Sequence, residues 1–386
     1  MSINILHTAD LHLRDSQFGR LDRGRDFTRA LFQLVDIAVK NDCEYILAAG
    51  DILHTKRPSS QNIMDLMEMN RRLLDKGIKM LCIAGNHDEC DPNWISLIEQ
   101  EAIKQSGTTA IEDITNKIVN IPLRYSLANH ITVYGAPFPD MHPDDFRAQA
   151  HTWPEADILL YHGGVKEFSF YPMGDKALSI DDLPYTRYQV IALGDIHVCK
   201  YCNRDGCLIG YPGPIEYCSA NEGPGKSCTI LRFEEKSGKL LKLKEDRDIV
   251  ALRTRRVIQR EIQTESDMNT LLEDIRAQKA EKPIIRVWYN PSINDVFTRI
   301  AAIADPCECI IRVEPRGSGT VRKVSNDDVN TSTSLKPSDF VSDFFSSDES
   351  LYKVAISCCN AETKPGVIID KYIEEQLSTY YHDKQF

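Results

Sequence analysis

No apolar run in this 386-residue chain approaches the roughly 20 residues that span a bilayer; stretches such as "DILLY" and "YILAAG" are strand length. The N-terminus enters a strand pattern directly, without a basic-then-apolar leader, so no secretory signal is expected. Surplus basic charge is missing too. A net charge of −11 argues against nucleic-acid binding through a broad basic surface. It leaves room for an enzyme whose metal ions contact phosphate, or for one delivered to its substrate by a partner. Cysteine is not scarce: twelve are scattered along the chain, and without a leader they read as reduced thiols in the cytoplasm.

The length is too great for one ordinary core and predicts two or three domains. The first half alternates strand and helix. "INILHTAD" is a short apolar strand, and the following helix puts Phe27, Leu31, Leu34, Val35 and Ala38 on one face. "YILAAGD" is a buried strand, "SSQNIMDLMEMNRRLLDKG" a helix ending at Gly77, and "KMLCIAGNHD" a third strand. This order predicts an α/β layered fold with parallel strands. After residue 118 the chain becomes strand-rich, with turn residues that suggest hairpins in a second sheet. From about Arg253 to Arg316, strands alternate with two helices, the first with Ser266 as candidate N-cap, which fits a small appended α+β domain. "RGSGTVRKVSNDDVNTSTS" reads as a linker, and "SDFVSDFF" and "GVIIDKYIEEQLSTYYH" as short amphipathic helices that dock on something else.

Five segments place ligand-type residues where an apolar strand ends: Asp10 and His12 in "ADLH", Asp51 in "AAGD", Asn86 and His87 in "AGNHD", His162 in "YHGG", and Asp195 and His197 in "GDIH". Loops at the carboxyl ends of strands line the ligand crevice of layered α/β folds. Taken singly, each segment is ordinary turn chemistry. Five in order, each after its own strand, point to one site. Carboxylates, an amide and imidazoles suit two first-row divalent ions such as Mn²⁺, with Asp51 central enough to bridge them.

The pattern D-x-H, G-D, G-N-H-D, H, G-x-x-H resembles the calcineurin-like metallophosphoesterase superfamily, and "GDILHTKRPS" and "YPGPIEY" are similar to its SbcD-type DNA double-strand-break nucleases. The resemblance implies a layered αββα sandwich over residues 1–250, a capping domain over 251–317, a linker over 318–337 and a helical ATPase-binding element over 338–386. It implies a Mn²⁺-dependent exonuclease and endonuclease, with Mg²⁺ as a substitute. Such an enzyme would work as a homodimer on DNA with an SMC-like ATPase of the SbcC type, away from membranes. Asp10, His12, Asp51 and His197 would hold one ion, and Asp51, Asn86, His162 and Asp195 the other. His87 would protonate the leaving oxygen, Asp88 would orient its imidazole, and His54 matches a histidine near the scissile phosphate. A small-molecule or cyclic-nucleotide phosphodiesterase and a non-catalytic structural subunit are the competing readings. The appended domain and terminal helices weigh against the first, and the intact Asn86–His87–Asp88 against the second.

Asp195 stands where the superfamily usually carries histidine. Aspartate is still a hard oxygen donor, so histidine at this position is expected to be tolerated, whereas Asp195→Ala is expected to empty the second ion site. Full occupancy of both sites in the alanine variant, by metal analysis, would overturn that assignment. Cys199, Cys202 and Cys207 form a zinc half-site without a fourth obvious ligand, and "NRDG" between them reads more simply as a hairpin turn. The stretch "RDSQFGRLDRGRDFTR", just past His12, suggests a phosphate-contacting loop, with Arg14, Arg20, Arg23 and, further on, Arg57 as DNA contacts.

Overall fold

Strands and helices alternate from the start: β1 (Ser2–Thr8), α1 (Leu21–Lys40), β2 (Cys43–Ala49), α2 (Ser60–Lys76), β3 (Lys79–Ile83), α3 (Trp94–Ser106) and β4 (Ile111–Asp113). A strand-rich stretch follows, with β5 (Ile118–Leu123), β6 (Ser126–Gly135), α4 (Pro143–Ala150), β7 (Ile158–His162), β8 (Val190–Gly194), β9 (Cys199–Arg204) and β10 (Cys207–Pro212). Then come β11 (Ser227–Lys236), β12 (Lys239–Leu243) and β13 (Asp248–Ala251). The last elements are β14 (Val257–Ile262), α5 (Glu265–Gln278), β15 (Ile284–Tyr289), α6 (Val296–Ala301) and β16 (Ile310–Pro315). This computed structural model describes residues 2–315 apart from 19, 91–92, 124–125, 139–140, 170–172, 175–176, 220–221, 224, 237–238, 244–246 and 305–308. The chain divides into Met1–Gly317 and Ser318–Phe386. The linker expected at 318–337 and the helices expected at 338–386 lie outside the described residues.

Two sheets stack between helices. One runs β12-β11-β1-β2-β3-β4, with β13 also paired to β11; the other runs β5-β6-β7-β8-β10-β9. β1 to β4 are mutually parallel, and β11 closes against β1 antiparallel. The second sheet is more parallel than the turn residues suggested. β6, β7, β8 and β10 all run the same way, and antiparallel hairpins stand only at its two edges. The long connections β6–β7 and β7–β8 make this possible, because parallel neighbours need a crossover rather than a tight turn. The edge hairpin β9–β10 turns through Asp205 and Gly206, both at positive φ (49° and 89°), as the sequence "NRDG" predicts.

Burial explains the layering. The helical face Phe27, Leu31, Leu34, Val35 and Ala38 is buried with Leu66, Met69 and Leu73 of α2 under the first sheet. Ile3, Ile5, Leu47, Leu81 and Ile83 point the other way and meet Ile121, Val133, Ile158, Leu160 and Val190 of the second sheet. Fully burying each such side chain stabilises by about 1.5–3 kcal/mol. Ser59 caps α2, with Asn62 completing a capping box, and Gly77 ends it in the left-handed region at φ 65°.

The segment β14–β16 forms its own three-stranded, wholly parallel sheet, a βαβαβ unit around Ile258, Ile262, Leu271, Ile275, Val287 and Ile300. Its first helix is capped by Thr264, paired reciprocally with Asp267, and not by Ser266. Thr264 keeps extended backbone angles, whereas Ser266 already lies inside the helix.

Arg255 ties the lead-in to this unit onto α1, donating to Asp22 (2.9 Å) and Asp26 (2.8 Å). The Arg20 hydrogen bond, then Arg255, hold the Asp22 carboxyl well below the usual carboxylate range. A depressed folded pKa contributes stability that is present above the unfolded value of roughly 3.9 and is lost as pH falls through the folded one. Arg255→Ala is therefore expected to cost about 1–2 kcal/mol at neutral pH, discounted because Asp22 is partly solvated. Thermal unfolding should show that gap narrowing below pH 4. A gap that persisted unchanged at pH 3 would mean the ion pair is not its source.

Candidate metal centre

All five ligand-bearing segments leave the carboxyl ends of β1, β2, β3, β7 and β8, where the two sheets come together. Stacked sheets ordinarily lie about 10 Å apart. Here His162, at the end of β7, donates from Nδ1 to the Ala49 carbonyl of β2 at 2.8 Å. Glycines permit this approach. A Cβ at Gly194 would collide with the Ala49 carbonyl, one at Gly50 with the His162 ring, and one at Gly85 with the Asp51 carboxylate. The backbone is strained where it turns into the site: Asp10 (φ 52°), His12 (44°), Asp51 (52°) and Asp195 (108°) all have positive φ. Side chains in that region are uncommon and cluster where function holds them.

Asp51 lies at the centre. Its Oδ2 is 3.5 Å from His12 Nε2, and its Oδ1 is 3.5 Å from His162 Nε2. Around the first oxygen, the Nε2 atoms of His12 and His197 stand 3.2 Å apart, and Asp10, His12 and Asp51 bring their donor atoms within 4.8 Å of one another. Around the second, His162 Nε2 is 3.1 Å from Asn86 Oδ1 and 3.9 Å from Asp195 Oδ1. The Asp195 backbone N–H donates to Asp10 at 3.0 Å, which couples the two halves. The His87 ring lies edge-on to His12 and stacks on His54, 5.3 Å between centroids and 17° between planes. Nine of the ten residues expected in the catalytic and metal sets thus gather at one place, and Asp88 lies buried behind them.

One expected role is corrected. Asp88 does not touch the His87 imidazole: its buried carboxylate accepts backbone N–H groups from Ile52 (2.9 Å), Leu53 (2.8 Å) and Gly85 (3.0 Å). Asp88 therefore braces the loops carrying Asp51 and Asn86. What orients His87 is the His54 carbonyl, 2.7 Å from Nδ1. A carbonyl only accepts, so Nδ1 holds the proton and Nε2 faces the cleft.

The arginines separate. Arg23 is fully buried, donating to Gln17, Asp26 (2.7 Å) and Glu216 (3.2 Å), so it has no surface to offer a phosphate. Arg14 is buried too, stacked 4.5 Å over Phe27. Arg20 is committed to Asp22 at 2.9 Å. Arg57 is exposed beside the His54 loop. The buried pair Gln17 and Arg23 instead fasten the 216–218 loop, through the Tyr217 and Cys218 carbonyls.

Past that loop lies Glu222, which the sequence reading missed. Its carboxylate accepts from His197 Nδ1 at 2.7 Å, from the Lys226 ammonium at 2.6 Å and from the backbone of Ser219 at 2.9 Å. A carboxylate behind a metal-facing imidazole fixes its tautomer and raises its basicity. Glu222→Gln is expected to weaken the ion at the His197 side by roughly 10- to 100-fold, read by calorimetric titration. Unchanged affinity would reduce Glu222 to a loop brace.

The electrostatics fit a cation. Burial pushes the Asp10 carboxyl up to about 6, and burial likewise raises Asp195. Burial alone would push His162 down, but the Asp51, Asp10 and Asp195 carboxylates outweigh it and the net shift is upward. For His197, burial is outweighed by Glu222 and Asp10. The cleft thus draws positive charge onto itself, and His12 Nδ1 has no hydrogen-bond partner among the described residues. Hard oxygens with imidazole nitrogens suit divalent first-row ions.

The calcineurin-like phosphoesterase family profile matches residues 3–208, just over half of the chain. Among curated proteins, a DNA double-strand break repair protein Mre11 of Archaeoglobus fulgidus is 25% identical over 298 residues, covering 73% of this chain and 64% of that protein. The Mre11 of Sulfurisphaera tokodaii is 29% identical over 239 residues, 59% of each chain. The chain therefore spans less than two thirds of either relative. Among solved structures, TT1561 of Thermus thermophilus aligns at 14% identity with a TM-score of 0.40, over 59% of this chain and 94% of that one.

Proposed function

Since the chain belongs to the calcineurin-like phosphoesterase family, we propose that it is a two-metal DNA nuclease acting on duplex ends in repair, end processing or defence. The observation that carries this reading is the Asp51 carboxylate, which turns one oxygen toward His12 and the other toward His162. Asp10, His12, Asp51 and His197 would hold one ion; Asp51, Asn86, His162 and Asp195 the other. Mn²⁺ is the proposed ion, with Mg²⁺ as substitute. When bound, two such ions would supply polarisation of a phosphodiester and acidification of a water.

The chain's own groups do the rest. His87 Nε2 faces the cleft and, when the ring is the doubly protonated imidazolium, passes that second proton to the departing sugar oxygen. His54 stacks on that ring and supplies the carbonyl that fixes its tautomer. Asp88 holds the two ligand loops at fixed spacing. Arg57, exposed next to His54, is the remaining phosphate contact proposed for the loop.

DNA as substrate is supported by the names of the archaeal relatives. The chain is proposed to assemble as a homodimer, and residues 338–386 to bind an SMC-like ATPase of the SbcC type in the cytoplasm. No helix among the described residues is long and apolar enough to cross a membrane. The test is a time course on end-labelled linear duplex with Mn²⁺, alone and with the candidate ATPase. Metal-dependent shortening supports the proposal. Intact DNA in every lane with hydrolysis of a small phosphodiester would move the substrate to that class.

A further inference from the structure

Of the three donor clusters among the described residues, one contains sulfur: Cys218 Sγ lies within 4.8 Å of ring nitrogens of both His12 and His197. This is not a lone thiol on a surface. Gln17 donates to the Cys218 carbonyl at 2.7 Å, and the Cys218 backbone N–H donates to Glu222 at 3.2 Å. The same Glu222 carboxylate orients His197. The thiol and the imidazole are thus fixed to one brace, and the Nε2 atoms of the two histidines face each other at 3.2 Å.

From this geometry we propose that Cys218 is a sulfur donor which lets the His12–His197 half of the site capture Zn²⁺, in competition with the harder ion proposed for it. The inference rests on the metal-centre reading above. Thiolate with two imidazoles is a soft, nitrogen-rich set that favours Zn²⁺ strongly over Mn²⁺. With three protein ligands and one open position, the arrangement is that of an accessible zinc site. Zn–N near 2.0–2.1 Å and Zn–S near 2.3 Å place neighbouring ligand atoms roughly 3.5 Å apart, and the three donor atoms here lie within 4.8 Å of one another. On binding, the thiol gives up its proton to solvent and the sulfur lone pair forms the new bond; nothing is oxidised or reduced. Zn²⁺ held this way would occupy His12 and His197 in place of the harder ion, so micromolar zinc would inhibit hydrolysis supported by Mn²⁺.

The experiment substitutes Co²⁺ into the full-length protein and records its electronic spectrum, wild type beside Cys218→Ser and Cys199→Ser. The expected result is visible d–d bands in all three proteins. A near-ultraviolet thiolate-to-cobalt band is expected in wild type and Cys199→Ser but absent in Cys218→Ser. Zn²⁺ affinity, by competition with a chromophoric chelator, should fall about tenfold or more in Cys218→Ser, the scale seen even for loss of an outer partner. Visible bands without the near-ultraviolet band in wild type would overturn the proposal and leave the metal centre standing. A near-ultraviolet band that survived in Cys218→Ser would also overturn it. Absence of any cobalt spectrum would overturn the metal-centre reading itself.

Discussion

His87→Ala is expected to slow DNA hydrolysis by on the order of 10²–10⁴-fold while both metal ions still bind, because that is the usual worth of a positioned proton donor. The ring is about a third exposed, with Nδ1 anchored on the His54 carbonyl at 2.7 Å and Nε2 left facing the substrate side. The hydrogen bond that ties this residue to the proposed metal ligands comes from its backbone: the His87 N–H donates to Asp51 Oδ1 at 3.0 Å. Truncation at Cβ removes the proton donor and keeps that bond. The loss should therefore appear in single-turnover rate at saturating Mn²⁺ and not in metal affinity. A leaving group that needs no proton separates this role from a structural one. With a p-nitrophenyl phosphodiester, most of the deficit should disappear. A deficit equally large on both substrates would remove His87 from proton transfer, and a variant within a few fold of wild type on DNA would remove it from the reaction.

What could be read from the sequence follows the range over which each interaction acts. The strand-end motifs were legible because an apolar run and the polar residue after it are neighbours in sequence, and β-strand geometry then delivers the ligand to the sheet's carboxyl edge. The α1 face was legible because 3.6-residue periodicity is local. Glu222 was not: it sits in a glycine- and serine-bearing loop, and its significance comes from a bond to His197, twenty-five residues away. Arg23 misled for the opposite reason. An arginine among arginines reads as surface, and nothing local reveals that Glu216, on the far side of the chain, neutralises it in the interior. Asp88 follows His87 directly, which suggested a dyad, but adjacent side chains in a turn diverge, and its carboxylate reaches the backbone of the Asp51 loop instead. The second sheet's parallel run escaped because turn-forming residues also occur inside crossover connections.

Asp51→Asn is expected to lose both ions together and with them DNA hydrolysis, by on the order of a thousandfold or more, since metal activation supplies several kcal/mol of the barrier reduction. The substitution changes charge and little else. Asparagine has the same shape, tolerates the φ of 52° found at this position, and keeps an oxygen to accept from the His87 N–H. What it loses is the second anionic oxygen. As each carboxylate oxygen is 3.5 Å from one of His12 and His162, each half of the centre loses its shared negative charge at once. This differs from Asp195→Ala, which strips one half only. The metal-free protein should not suffer. Asp51 is among the negative neighbours that raise Asp10 and Asp195, so neutralising it relieves a buried repulsion, which offsets the attraction to His162 that is lost. The expected signature is a melting temperature without metal close to that of wild type, together with a calorimetric Mn²⁺ stoichiometry falling from two toward zero. One ion retained at full affinity would place Asp51 in a single site, and two retained would show that the bridge lies elsewhere.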